Sequence, residues 1–288
     1  MDEWGIEWKK SNDASGIYYP YAHPLSDGFE EDEVEEAVLV PDYRDPSRVA
    51  GLREMTRKLY EETDYAIVGD LLFTVTQRGA DLMGMENYFC DLMLEESKIA
   101  RMLEKICEAN LDAIRLFLKE VGEYLDVVTL ADDLGTQFSP MFSPDKYRRL
   151  IKPLHKVMID EIRKYTKAKI MMHNDGAIKV FIPDIIEVGF DILNPLQTSA
   201  TGMNAADIKS EFGKDLTFWG GIDSQYVMAR GDAQAVEREV REKMEILAPG
   251  GGYVCGNIHN ITYEIAPENI VALFDTARAC GVYGSKEG

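Results

Sequence analysis

Cysteine is scarce. Only Cys90, Cys107, Cys255 and Cys280 occur in 288 residues, and no two form a CxxC pair. That spacing suggests neither a disulfide framework nor a thiolate zinc ribbon, and reduced thiols are expected. Positive charge is also short, with 31 Lys and Arg against 51 Asp and Glu and a formal net charge of −20. Nucleic acid is therefore not an expected partner, because phosphate neutralisation needs clustered basic residues. No apolar run reaches the ~18 residues a membrane span requires. The opening "MDEWGIEWKK" lacks the basic-then-apolar form of a signal peptide, so no membrane association and a cytoplasmic location are expected. There is no GxGxxG, no Walker loop and no GxSxG elbow, and Ser139 in "TQFSPMF" lacks the glycines that expose a nucleophile.

What is present is a repeated unit. From Tyr65 onward, short β-branched or apolar runs end in polar residues and are followed by a long amphipathic segment and a glycine. The runs are "YAIVGDL", "DVVTLADD", "KIMMHND", "DILNPLQ", "LTFWGGID" and "GYVCGNIH". Six βα units predict parallel strands, closing as a (β/α)8 barrel or opening as a doubly wound sheet. The lack of an early phosphate loop and the polar ends of nearly every strand favour the TIM barrel. "FSPDKYRRLIKPLHKVMIDEI" predicts a helix with Ser143 as N-cap and Pro144 at its first position, kinked at Pro153. Glycines in "EVGEYLD", "EVGFD", "EFGKD" and "ACGVYG" are expected as left-handed helix caps, and "PGGG" at Pro249 to Gly252 as a turn. The acidic run "DGFEEDEVEEA" predicts a solvated helix start. Residues 1–64, with "DEWGIEWKK" and "SGIYYPYAHPL" as two aromatic-rich strands, are expected to pack on a barrel body of residues 65–288, as one domain overall.

The strand-end residues predicted to face one mouth are Asp70, Asp132, Asp133, Gln137, His173, Asp175, Asn194, Gln197, Asp223, Asn257 and His259. His173 and Asp175 in "MMHNDG" form the sharpest pair. Residues two apart on a strand point the same way, and imidazole with carboxylate suits zinc or another divalent ion. Cys255 and His259 share strand parity if "CGNIH" is regular, so either could supply a third ligand. Asp175 could instead orient a neutral His173 as a substrate donor. Cys255 also reads as a buried structural thiol. His23 and His155 carry no assigned role.

The stretches "ADDLGTQFSPMFSPDKYRRLIKP", "HNDGAIKVFIPDIIEVGFDILNPLQ", "IKSEFGKDLTFWGGID", "APGGGYVCGNIHNI" and "PENI" resemble the uroporphyrinogen decarboxylase superfamily over nearly the whole chain. That resemblance implies a (β/α)8 barrel and one of two chemistries: cofactor-free decarboxylation of a tetrapyrrole, or zinc-dependent methyl transfer involving a corrinoid. The decarboxylases have an arginine-rich N-terminal segment that is not found here. The methyltransferases have a His-x-Cys pair where this chain has His173-Asn174-Asp175, and a later cysteine where it has His259. Two fewer thiolates imply a harder Lewis acid, suited to ether or amine leaving groups. The resemblance thus implies a methyltransferase moving a methyl group between a methoxylated or methylamine-type molecule and a corrinoid protein. His173, Asp175 and His259, with Cys255 as a substitute, would hold zinc, and Asp133, Gln197 and Asp223 would act on substrate, with Asp132, Gln137, Asn194 and Asn257 binding it. A polycarboxylate decarboxylase and a non-catalytic tetrapyrrole-binding barrel stay as alternatives. The resemblance further implies a first barrel strand ahead of "DEWGIEW", so open strand edges and a homodimer or tight partner are expected.

Overall fold

The computed structural model describes residues 1–12 and 17–281. The predicted opening residues Ser15 and Gly16 of the second aromatic segment lie outside them. Among the described residues, eight strands form two sheets. β1 (Glu7–Lys10) and β2 (Tyr18–Ala22) pair antiparallel as a hairpin with a register shift between Glu7 and Trp8. The other six are β3 (Val68–Phe73), β4 (Val127–Ala131), β5 (Lys169–His173), β6 (Ile192–Leu196), β7 (Thr217–Ile222) and β8 (Tyr253–Asn257), hydrogen-bonded in chain order. They coincide with the six apolar runs read from the sequence. β3 pairs parallel with β4, β6 with β7, and β7 with β8. Strands in sequential order with helices between them are the βα repeat.

The chain divides into two compact units. The first comprises residues 1–133, 143–171 and 187–189. Its core is built on the helix Glu96–Val121, whose Ile99, Met102, Leu103, Ile106 and Ile114 are fully buried at helical spacing. Val34 anchors the acidic run, which forms two short helical turns with Glu31 to Glu33, Glu35 and Glu36 outside the core. Ser143 caps the following helical segment by accepting from the Lys146 N–H at 3.3 Å. The expectation of a kink at Pro153 meets a change of helix type: a π-helical turn, Tyr147–Ile151, precedes Lys152–Ile162. An inserted residue there places Pro153 near the start of the last segment, where its missing N–H costs nothing.

The second unit comprises residues 134–142, 172–186 and 190–288. One of its cores gathers Ile222, Met228, Val236, Val240, Ile265, Ala272 and Leu273, linking the end of β7 to the helices Ala233–Leu247 and Pro267–Cys280. "PGGG" is a turn, with Gly250, Gly251 and Gly252 all at positive φ. Of the four helix-terminal glycines, only Gly189 has the expected positive φ. At Gly122, Gly213 and Gly281 the requirement is space instead: an added Cβ would lie 2.9 Å from Tyr165 O, 2.5 Å from Lys209 O and 2.8 Å from Ala277 O. No helix among the described residues is long and apolar enough to cross a membrane.

In the first unit the buried Glu161 accepts from Arg115 Nε at 2.9 Å and from Lys164 Nζ at 2.7 Å. These bonds, Arg115 first, hold its carboxyl below the usual carboxylate range. A lowered folded-state pKa adds stability above the unfolded-state value, and that stability is lost as pH falls through the folded value. Glu161→Gln will therefore lower unfolding free energy by about 1–2 kcal/mol at neutral pH. The gap between variant and parent should close below about pH 4 in urea melts run across pH.

Candidate metal centre

β5 ends at His173, and its neighbours Met171 and Met172 are buried. Beyond the strand the chain turns at Gly176 (φ +93°), where an added Cβ would lie 2.6 Å from Gly135 C and 2.7 Å from Gly135 O and Thr136 O. That turn, and not strand parity, brings Asp175 beside His173. The Gly176 N–H donates to Gln197 Oε1 at 2.6 Å, Gln197 Nε2 donates to Gln137 Oε1 at 2.8 Å, and Gln137 Nε2 donates to the Ser199 carbonyl at 2.7 Å. Gln197 and Gln137 were expected to meet substrate; here their side-chain amides pin the Asp175 turn. The buried Asn174 accepts from the Leu134 N–H at 3.0 Å and fastens the same turn to the 134–142 loop.

β8 ends at Asn257, so His259 lies two residues past regular strand, at φ +59°. Asn257 Nδ2 donates to its carbonyl. His173 Nε2 and Asp175 Oδ2 are 3.3 Å apart, His259 Nε2 and the same oxygen 4.0 Å, and one ligand atom from each residue lies within 4.8 Å of the others. The two imidazoles meet edge to face with centroids 5.9 Å apart. His173 Nδ1 is 2.8 Å from Asn194 Oδ1. An amide oxygen only accepts, so Nδ1 carries the proton and Nε2 presents its lone pair to the cluster. Asn194 is thus an orienting group, a role the sequence did not reveal.

Cys255 is not brought to this cluster. It packs against the Ile222 and Leu273 core, and burial pushes its thiol pKa up, which disfavours a thiolate. Its strand-parity link to His259 fails because the strand stops before His259. Asp223 caps the π-helical turn Ser224–Met228 by accepting from the Tyr226 and Val227 N–H groups. It also borders a cavity of about 230 Å³ whose wall includes Asp175, Gln197 and His259. Its own N–H faces Glu239, whose carboxyl burial pushes up.

In the first unit, Asp132 corrects a further expectation. It is fully buried and cannot meet substrate. Its oxygens accept from the N–H groups of Val75, Thr76 and Gln77, from the Thr76 hydroxyl, and from His155 Nε2 at 2.9 Å. Tyr147 OH lies 3.2 Å from the other ring nitrogen of His155. His155 was given no role, although Ile151, His155, Met158 and Ile162 share one helical stripe, which was the available signal. Asp70 is exposed and accepts from Thr129 Oγ1, and Asp133 is half-buried just after β4.

A parallel sheet in chain order with polar residues gathered past the strand ends places the chain among the α/β proteins, and it fits the TIM-barrel type. The uroporphyrinogen decarboxylase (URO-D) family matches residues 29–280, and the chain belongs to that family. In fold it is similar to a methyltransferase from Methanosarcina mazei, with a TM-score of 0.73 and 17% identity over 97% of this chain and 77% of that one. No protein of curated function matches it by sequence.

Proposed function

We propose that the chain is a methyltransferase that moves a methyl group between a methylated small molecule, of methoxy or methylamine type, and a corrinoid protein, using zinc held by His173, Asp175 and His259. The observation that carries this reading is the convergence of three ligand atoms within 4.8 Å, with His173 already turned by Asn194 to offer Nε2. The fold it shares with the methyltransferase from Methanosarcina mazei supports it. Two ligands about 2.1 Å from a tetrahedral zinc stand roughly 3.4 Å apart. The His173 to Asp175 separation of 3.3 Å meets that value as it stands. His259, at 4.0 Å and with 55% of its side chain exposed, has room to close the remainder.

Zinc bound there would act as a Lewis acid on the heteroatom that gives up its methyl group, with a fourth position open for it. The chain's own residues do the rest. Asn194 fixes the His173 tautomer, and Gln197 with Gln137 holds Asp175 in place. Asp223 lines the adjoining cavity. Asp133 remains the second carboxylate assigned to substrate.

The test is zinc analysis of purified protein beside a His173→Ala variant matched in circular dichroism. About one zinc per chain is expected in the parent, with affinity reduced at least about tenfold in the variant. Zinc retained equally by both would overturn the His173 site, and zinc bound by neither would overturn the reading and favour a cofactor-free decarboxylase or a binding barrel.

A further inference from the structure

The cavity of about 230 Å³ beside the cluster adjoins a larger one of about 530 Å³, and the two share Ser224, Gln225 and His259 as walls. His259 therefore borders both the small chamber, which Asp175 also lines, and the larger one, which Asp175 does not line. The larger chamber is lined by the π-helical turn and the residues just after it, with Tyr226 and Arg230, and by the segment past β8, with Asn260, Thr262 and Glu264.

Arg230 holds its guanidinium over the Tyr226 ring, 5.1 Å from the centroid. Among the described residues it makes no ion pair. Arg44, Arg48, Arg53 and Arg115 each hold a carboxylate. Glu264 lines the same chamber but receives the Thr262 hydroxyl at 3.0 Å. Stacking on an aromatic ring orients the guanidinium while leaving its in-plane N–H donors for a planar anion.

Building on the function proposed above, we infer that the methyl donor carries a carboxylate, which Arg230 binds in the larger chamber while the methylated heteroatom reaches past His259 to the cluster. The substrate class is then a methyl ether or methylamine of a carboxylic acid. Selection rests on the charged end. A neutral analogue of the same shape would leave the guanidinium without a partner.

The experiment is isothermal titration of zinc-loaded parent, Arg230→Gln and Arg230→Lys with 4-methoxybutanoate and 3-methoxybenzoate, each beside its neutral carboxamide. The parent should bind at least one carboxylate about tenfold or more tightly than its amide. Arg230→Gln should lose that preference with amide binding unchanged, and Arg230→Lys should keep part of it. No preference in the parent, no binding by either acid, or a preference surviving in Arg230→Gln would overturn the inference. Zinc content is measured in the same samples. Full zinc without an Arg230-dependent preference defeats the inference alone, whereas the preference without retained zinc leaves the carboxylate site standing and defeats the metal reading.

Discussion

Replacing Asp132 by alanine is expected to remove about 4 kcal/mol or more of unfolding free energy. The carboxylate is fully buried and gathers the N–H groups of Val75, Thr76 and Gln77, the Thr76 hydroxyl and His155 Nε2. Alanine leaves all of them facing a cavity without water's compensation. The loss is a large share of a typical domain's ~5–15 kcal/mol. Asp132→Asn should cost less but remain damaging, because in either amide orientation an NH2 group faces donors. His155→Ala should be milder, since it takes one donor from one Asp132 oxygen and one partner from Tyr147 OH and leaves the other four donors to Asp132 in place. Urea unfolding followed by circular dichroism gives the order. Equal stability of Asp132→Ala and parent would show that the network carries little.

Gly176→Ala is expected to damage both stability and the cluster. Its φ of +93° is unfavourable for any side chain, and the new Cβ would sit 2.6 Å from Gly135 C and 2.7 Å from two carbonyl oxygens. Those atoms are backbone, so relief requires moving the loop that carries Gly135 or the turn that carries Asp175. The expected cost is about 3 kcal/mol, or roughly a 5 °C fall in melting temperature. Gly202→Ala is the control. It has φ +76° but nothing within 4 Å of its Cβ, so it reports conformational strain alone, expected at about 1 kcal/mol. If both variants melt together, the close contact at Gly176 is not limiting. If it is, zinc retention should fall in Gly176→Ala and not in Gly202→Ala.

The strands were legible because each is a short apolar run closed by polar residues, a pattern that burial on a parallel sheet imposes on sequence. The hairpin was legible from its aromatic alternation. His173, Asp175 and His259 were legible only in part. Their types suggested ligands and the family resemblance aligned them, but the geometry that unites them is a glycine turn and a positive-φ histidine, and neither follows from strand periodicity. Asn194, Gln137 and Gln197 look in sequence like any polar strand end. Their roles as orienting and pinning groups depend on partners 21 or 60 residues away, and one sequence holds no signal for such pairings. Asp132 was misassigned for a related reason: a carboxylate at a strand end can face the mouth or turn under the next helix, and only packing decides.

The three donors of the cluster differ in how firmly they are held. His173 belongs to a strand and Asp175 to a turn braced by two glutamines, while His259 lies past its strand with more than half its side chain in solvent. If an ion binds there as proposed, the stiff pair would keep it while the imidazole swings away and returns. Ion exchange, and the freeing of a coordination position, would then proceed at the pace of one exposed side chain, with no rearrangement of the barrel.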